Sequence, residues 1–173
     1  MSLFVIGDTH LSLSVDKPMD IFRGWTDYID RIQNNWNKVV APEDSVIIPG
    51  DISWALTLED SLHDLKWIDA LPGRKIIMKG NHDFWWSTLS KMNRFFDENS
   101  IKSIEILYNG ALEVENYVIA GSRGWFVDKS VQPAKSVNAD HAKIVNREVI
   151  RLKMSLDQAK KLSEKTGKPI IAF

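Results

Sequence analysis

Four consecutive residues, Gly80-Asn81-His82-Asp83, bring together three kinds of chemistry near the middle of this sequence. An amide carbonyl can bind a hard metal ion, an imidazole can bind a metal or move a proton, and a carboxylate can orient an imidazole. The tetrapeptide follows an apolar run at 75–78 and precedes three aromatic residues at 84–86. Taken alone, it is as consistent with a polar turn that ends a strand as with a functional site.

Two earlier segments have the same arrangement. Asp8 and His10 follow the apolar run at 3–6, and Asp51 follows the run at 45–48. Because the carboxyl ends of parallel strands meet at one edge of an open α/β sheet, we expect these side chains to be neighbours of 80–83. The sequence contains no cysteine, so thiolate ligands are excluded. Oxygen and imidazole ligands favour Mn, Mg, Fe or Zn, and the three segments together predict a metal site.

These segments resemble the first three motif blocks of the calcineurin-like metallophosphoesterase family, and they read Asp8-Thr9-His10, Gly50-Asp51 and Gly80-Asn81-His82-Asp83. The resemblance implies two divalent metal ions, Mn, Fe or Zn. Asp8 and His10 would hold the first ion, and Asp51 would bridge both. Asn81 would hold the second ion.

The resemblance also implies a mechanism, in which a hydroxide that bridges the two ions attacks phosphorus. His82 would stabilise or protonate the leaving oxygen, and Asp83 would orient His82. The expected function is metal-dependent hydrolysis of a phosphomonoester or phosphodiester bond. The expected substrate is a phosphorylated small molecule or a phosphoprotein.

The sequence departs from the family pattern in its histidines. The family has two further blocks, one with a single histidine and one of Gly-His-x-His type, and neither His63 nor His141 fits them. The last apolar run, 170–173, has the character of the strand that precedes the next ligand. We therefore expect one metallophosphoesterase-like domain over 1–173, truncated at its C-terminal end, with weak metal binding and low or no activity. The alternative is a catalytically inactive scaffold of the same fold that binds a partner.

Strand-like runs alternate with helical patterns and predict an α/β fold, a layered sheet core flanked by helices, with C-terminal strands missing. Apolar spacing predicts helices over 18–40, 58–68, 87–98 and 140–163. The runs at 104–108, 111–114 and 117–120 predict a meander with turns at 109–110 and 115–116. The segment at 127–139 is polar and is expected to be irregular.

Arg123 lies in a glycine-flanked loop and is a candidate substrate-binding residue, since a guanidinium can hold a phosphate through two hydrogen bonds. A salt bridge formed by this loop arginine is the favoured interpretation. The loop tryptophans are equally consistent with core packing and with lining a substrate cleft, and they are Trp54, Trp85, Trp86 and Trp125.

The formal net charge of −1 gives no strong signal for nucleic-acid binding. The N-terminal residues lack the features of a signal peptide, and no apolar stretch is long enough to span a membrane. A cytoplasmic location is therefore expected. An exposed sheet edge would allow a homodimer.

Overall fold

The computed structural model describes residues 1–125 and 141–173, so the predicted irregular segment at 127–139 lies outside the described residues. The chain divides into two compact units, Met1–Ile106 and Leu107–Phe173. The expectation of a single domain over 1–173 stays a prediction. None of the helices in the described ranges is long and apolar enough to cross a membrane.

The first unit is built on a parallel sheet of four strands in the order β1-β2-β3-β4. The strands are β1 (Leu3–Val5), β2 (Ser45–Ile48), β3 (Arg74–Ile77) and β4 (Ile104–Ile106). The central strands read as continuous apolar runs because both of their faces are covered. Ile47, Ile48, Ile76 and Ile77 are fully buried. The predicted α/β class is confirmed.

Three helices connect these strands: α1 (Tyr28–Val39), α2 (Leu62–Ala70) and α3 (Leu89–Glu98). The prediction that α1 begins at residue 18 was wrong by ten residues. Gly24 and Asp27 have φ angles of 89° and 51°, and such left-handed residues cannot continue a right-handed helix. The segment before α1 instead forms turns that place Trp25 beside Tyr28, with ring centroids 5.2 Å apart.

The predicted meander was wrong in its first strand. β4 pairs in parallel with β3, and Ile76 lies opposite Glu105, so α3 forms a crossover between these two strands. The turn at Asn109-Gly110 therefore does not join two strands of one hairpin. Sequence adjacency favoured a hairpin here, but pairing across a parallel sheet is decided by tertiary packing.

The second unit contains the hairpin of β5 (Ala111–Val114) and β6 (Tyr117–Ala120), with β7 (Ile170–Ala172) parallel to β6. The predicted turn at 115–116 joins these two strands, and Glu115 has a φ of 52° in it. Helix α4 (His141–Thr166) packs on this sheet, with Ala159 against Val118 and Ala120 in the core.

A fully buried lysine on β3 caps the end of α2. The Lys75 ammonium donates hydrogen bonds to the carbonyl oxygens of Asp69 and Leu71, at the helix terminus where free carbonyl groups favour a cation. Burial nevertheless lowers the pKa of Lys75 to about 8, and the charge of Asp69 opposes this shift. The lysine is thus charged in the folded protein at neutral pH at a cost in stability.

We expect the free energy of unfolding to increase, because of Lys75, as the pH rises from about 8 towards 10.5. In this window the unfolded chain holds the lysine proton and the folded chain does not, so stability rises with pH by at most about 1.4 kcal/mol per pH unit. Urea unfolding of the wild type, Lys75→Met and the exposed control Lys66→Met at successive pH values measures it. Parallel profiles for the wild type and Lys75→Met would contradict the assignment.

Candidate metal centre

The structure brings Asp8, His10 and Asp51 together at the carboxyl edge of the parallel sheet. One ligand atom from each lies within 4.8 Å of the other two. The His10 Nε2 atom is 3.8 Å from Asp8 Oδ1 and 3.9 Å from Asp51 Oδ2. Two carboxylate oxygens and one imidazole nitrogen that face a common point form a donor set suited to a divalent ion.

Backbone conformation at these three residues is unusual. Asp8, His10 and Asp51 have φ angles of 54°, 42° and 51°, in the left-handed region that non-glycine residues seldom adopt. The loops after β1 and β2 are also tied together, since the His10 N–H donates to the Asp51 carbonyl oxygen at 3.0 Å. Strain that converges on one point is typical of a functional site.

Two glycines allow the loops after β2 and β3 to approach closely. A Cβ atom on Gly50 would lie 2.5 Å from the Gly80 Cα atom, and one on Gly80 would lie 2.1 Å from Asp51 Oδ1. Gly50 also has a φ of 130°. The glycine in each motif is therefore required by contact between the two loops and not merely by a turn.

Asp83 is fully buried and holds the turn that carries Asp51. Its carboxylate accepts hydrogen bonds from the backbone N–H groups of Gly80 (2.7 Å), Asp51 (2.9 Å), Ile52 (2.8 Å) and, at a longer 3.3 Å, Ser53, and from the Trp85 indole N–H at 3.0 Å. Burial raises the pKa of Asp83, and these hydrogen bonds oppose the rise. The observed partners of Asp83 thus position the loop that carries the candidate ligand Asp51, and the orienting of His82 by Asp83 stays a prediction.

His82 lies beside the three candidate ligands. Its backbone N–H donates to Asp51 Oδ1 at 2.8 Å, and its ring is in edge contact with His10 at a centroid distance of 5.8 Å. Asn81 is half-buried and directly precedes His82 in the same loop. Its binding of a second ion stays a prediction, as does the catalytic role of His82.

The environment of His10 favours the neutral imidazole that a metal ion requires. Burial lowers the pKa of His10, while the charges of Asp51 and Asp8 partly offset this. The ring stacks on Trp54 at 4.7 Å, and the backbone carbonyl oxygen accepts a hydrogen bond from the Tyr28 hydroxyl at 3.0 Å. The His10 Nδ1 atom is buried and has no hydrogen-bond partner among residues 1–125 and 141–173, so no described residue engages the imidazole through that atom.

A second buried carboxylate supports these loops and was missed in the sequence. Asp64 on α2 accepts hydrogen bonds from the Leu13 N–H at 2.9 Å and from the Ser53 hydroxyl. It thereby links the loop after β1 to the loop after β2. Burial raises the pKa of Asp64. An aspartate within a helical pattern carries no sequence signal for such a role, because its partners lie on loops distant in the chain.

Arg123 belongs to the second unit and is committed to an ion pair. Its guanidinium contacts Glu148 Oε1 at 3.1 Å and lies over the Trp125 ring at 4.5 Å. Arg151 contacts the same Glu148 oxygen at 2.7 Å. This arrangement supports the salt-bridge interpretation of Arg123, and binding of substrate by Arg123 stays a prediction.

The comparison with protein families identifies this arrangement. A family model described as calcineurin-like phosphoesterase matches residues 1–171, a range that includes all the candidate ligands. The chain belongs to the calcineurin-like phosphoesterase family. The resemblance carried by the three motifs is thereby confirmed.

Individual relatives match this calcineurin-like phosphoesterase over a short segment or at low sequence identity. Gene 66 protein of Mycobacterium phage L5 is 48% identical over 48 residues, which are 28% of this chain and 23% of that protein. The structure of phosphopantetheinyl hydrolase (PptH) from Mycobacterium tuberculosis matches with a TM-score of 0.51 and 13% identity, over 98% of this chain and 66% of that chain. A protein of unknown function, AQ665 from Aquifex aeolicus, matches with a TM-score of 0.45 and 24% identity, over 85% of this chain and 72% of that one.

The metal ions that the family implies fit the residues present at one position. Asp8, His10 and Asp51 offer two carboxylates and a half-buried imidazole whose lowered pKa favours its neutral form. This set would hold a Mn, Fe or Zn ion. The predicted first metal site is therefore supported by geometry, while the number of ions and their identity belong to the proposal below.

Proposed function

We propose that this chain carries the catalytic centre of a metal-dependent phosphoesterase that hydrolyses a phosphomonoester or a phosphodiester. The observation that supports it most is the convergence of Asp8, His10 and Asp51 beside His82. The PptH structure shares only the fold with this chain at 13% identity, so it does not specify the substrate.

In this proposal Asp8, His10 and Asp51 would hold the first ion, and Asp51 and Asn81 would contribute to holding a second. Such ions supply Lewis-acid polarisation of a phosphoryl oxygen and an activated water when they are bound. The substrate is a phosphorylated small molecule or a phosphoprotein. The carboxylate of Asp51 is oriented for this task by the His82 N–H on its Oδ1 atom.

In this proposal His82 gives a proton to the leaving oxygen, and its closeness to the candidate ligands supports that role. Its ring lies within 4.9 Å of Trp54 and 5.8 Å of His10, on the loop that follows the ligand-bearing turn. Asp83 holds the adjacent backbone and so limits the freedom of His82.

Metal-dependent hydrolysis tests the proposal directly. With added Mn²⁺ we expect release of p-nitrophenol from p-nitrophenyl phosphate or from bis(p-nitrophenyl) phosphate, and chelation by EDTA should abolish it. Asp51→Asn should weaken Mn²⁺ binding, measured by calorimetry, by about tenfold or more, because one ligand charge is lost. The exposed variant Asp60→Asn is the matched control and should behave as the wild type.

The alternative function, a scaffold that binds a partner without catalysis, has its own outcome. A chain that binds Mn²⁺ at the Asp51 site yet releases no p-nitrophenol from either ester would favour the scaffold. Hydrolysis that persists in EDTA, or equally in Asp51→Asn, would remove the metal centre from the proposed function.

A further inference from the structure

Phe84 projects an aromatic ring into solvent from a turn that is otherwise firmly held. The side chain is 61% exposed, although the preceding Asp83 is fully buried and the following Trp85 is 2% exposed. The Phe84 N–H donates to the His82 carbonyl oxygen at 2.8 Å, and the Trp86 N–H donates to that of Asp83. The Phe84 ring is therefore open to solvent, while hydrogen bonds hold the backbone on both sides of it.

The ring of Phe84 stands next to the proposed proton donor. The Phe84 and His82 ring centroids are 6.3 Å apart, and the two planes are perpendicular. His82 in turn contacts His10, one of the three candidate metal ligands. If His82 protonates the leaving oxygen, the group bonded to that oxygen would lie near Phe84.

The other aromatic rings around the centre are half-buried and already packed against neighbouring groups. Trp54 is stacked on His10 with an interplanar angle of 19°, and the Lys17 ammonium lies 3.7 Å from the centre of the Trp54 ring. Trp25 packs edge to face against Tyr28. Of the described aromatic side chains in contact with His10 or His82, Phe84 is the one that offers an exposed ring.

We propose that the phosphoester hydrolysed at this centre carries an aromatic group, which packs against Phe84 beside His82. The inference rests on the proposed phosphoesterase function and specifies its substrate class. The oxygen of one water forms a bond to phosphorus, the bond between phosphorus and the ester oxygen breaks, and the leaving oxygen takes a proton. Aromatic pairs in offset or edge contact add about 0.5–1.5 kcal/mol beyond the burial of their area, so the ring contributes to recognition as well as to affinity.

Binding of two inert phosphonates tests the inference, because a carbon–phosphorus bond is not hydrolysed at the centre. With the full chain and saturating Mn²⁺, we expect phenylphosphonate to bind about three- to tenfold more tightly than methylphosphonate, as an aromatic contact would provide. This ratio should fall to nearly one in Phe84→Ala and should be kept in Phe84→Tyr. Calorimetry measures each affinity, and circular dichroism verifies that the variants fold.

Val39→Ala is the matched control. Val39 is 60% exposed, like Phe84, but it ends α1 shortly before β2 begins, at the opposite edge of the sheet from the metal centre. The ratio of the affinities for phenylphosphonate and methylphosphonate should be the same in Val39→Ala as in the wild type. Equal affinities for the two phosphonates in the wild type, or an unchanged ratio in Phe84→Ala, would overturn the aromatic subsite and leave the phosphoesterase standing. Failure of both phosphonates to bind would overturn the phosphoesterase function together with the inference.

Discussion

Gly80→Ala is expected to disrupt the metal centre and to destabilise the first unit by about 3 kcal/mol or more. A Cβ atom at this position would lie 2.1 Å from Asp51 Oδ1 and 2.2 Å from the Asp51 backbone nitrogen. Neither atom belongs to the flexible end of a long side chain, so the loops themselves would have to separate. Such separation would also pull Asp51 away from His10.

Two measurements check this expectation. Urea unfolding should show the loss of stability, and calorimetry with Mn²⁺ should show metal affinity reduced by about tenfold or more. The Asp83 carboxylate accepts hydrogen bonds from the N–H groups of both Gly80 and Asp51, so it connects the two loops. The loss of Mn²⁺ affinity is therefore the more specific measurement. Movement of one loop therefore removes a restraint on the other.

Gly7→Ala is the control for this prediction. Gly7 directly precedes Asp8, yet a Cβ atom there would meet Pro49 Cγ at 3.5 Å, an ordinary van der Waals distance. We expect this variant to keep the stability and the Mn²⁺ affinity of the wild type. A Gly80→Ala protein that unfolds and binds Mn²⁺ like Gly7→Ala would show that the two loops do not need their close approach.

The convergence of the ligands could be predicted because it depends on local patterns. Short apolar runs end at Ile6, Ile48 and Met78, each just before a polar motif, and parallel strands bring such ends to one edge. The alternation of strand-like runs with helical patterns predicted the α/β fold class for the same reason. Predicting these features requires only the spacing of the apolar residues and the identity of the residues that follow each run.

The supporting interactions could not be predicted, because they depend on which loops touch. Asp83 was expected to orient its neighbour His82. The structure shows that it also accepts hydrogen bonds from a loop about thirty residues away in the chain. The pairing of β4 with β3 and the capping of α2 by Lys75 are decided in the same way by tertiary contact. No spacing rule in the sequence distinguishes a carboxylate that orients a ring from one that gathers backbone N–H groups.

His82→Ala is expected to lower kcat by about 10²- to 10⁴-fold, the usual cost of removing a proton donor. The substitution retains the backbone N–H that donates to Asp51 Oδ1 at 2.8 Å, so Asp51 stays in place. Mn²⁺ affinity should therefore change little, in contrast to Gly80→Ala. The exposed His63 on α2 provides the control, and His63→Ala should keep full activity.

The dependence on the leaving group separates the two roles open to His82. If its imidazole protonates the leaving oxygen, His82→Ala should lose more rate with phenyl phosphate than with p-nitrophenyl phosphate, since nitrophenoxide departs readily without a proton. If it stabilises a phosphoryl oxygen instead, both substrates should lose rate equally, because that oxygen is common to them. Full activity in a metal-loaded His82→Ala protein would exclude both roles and would leave the ring of His82 as packing for Trp54 and Phe84.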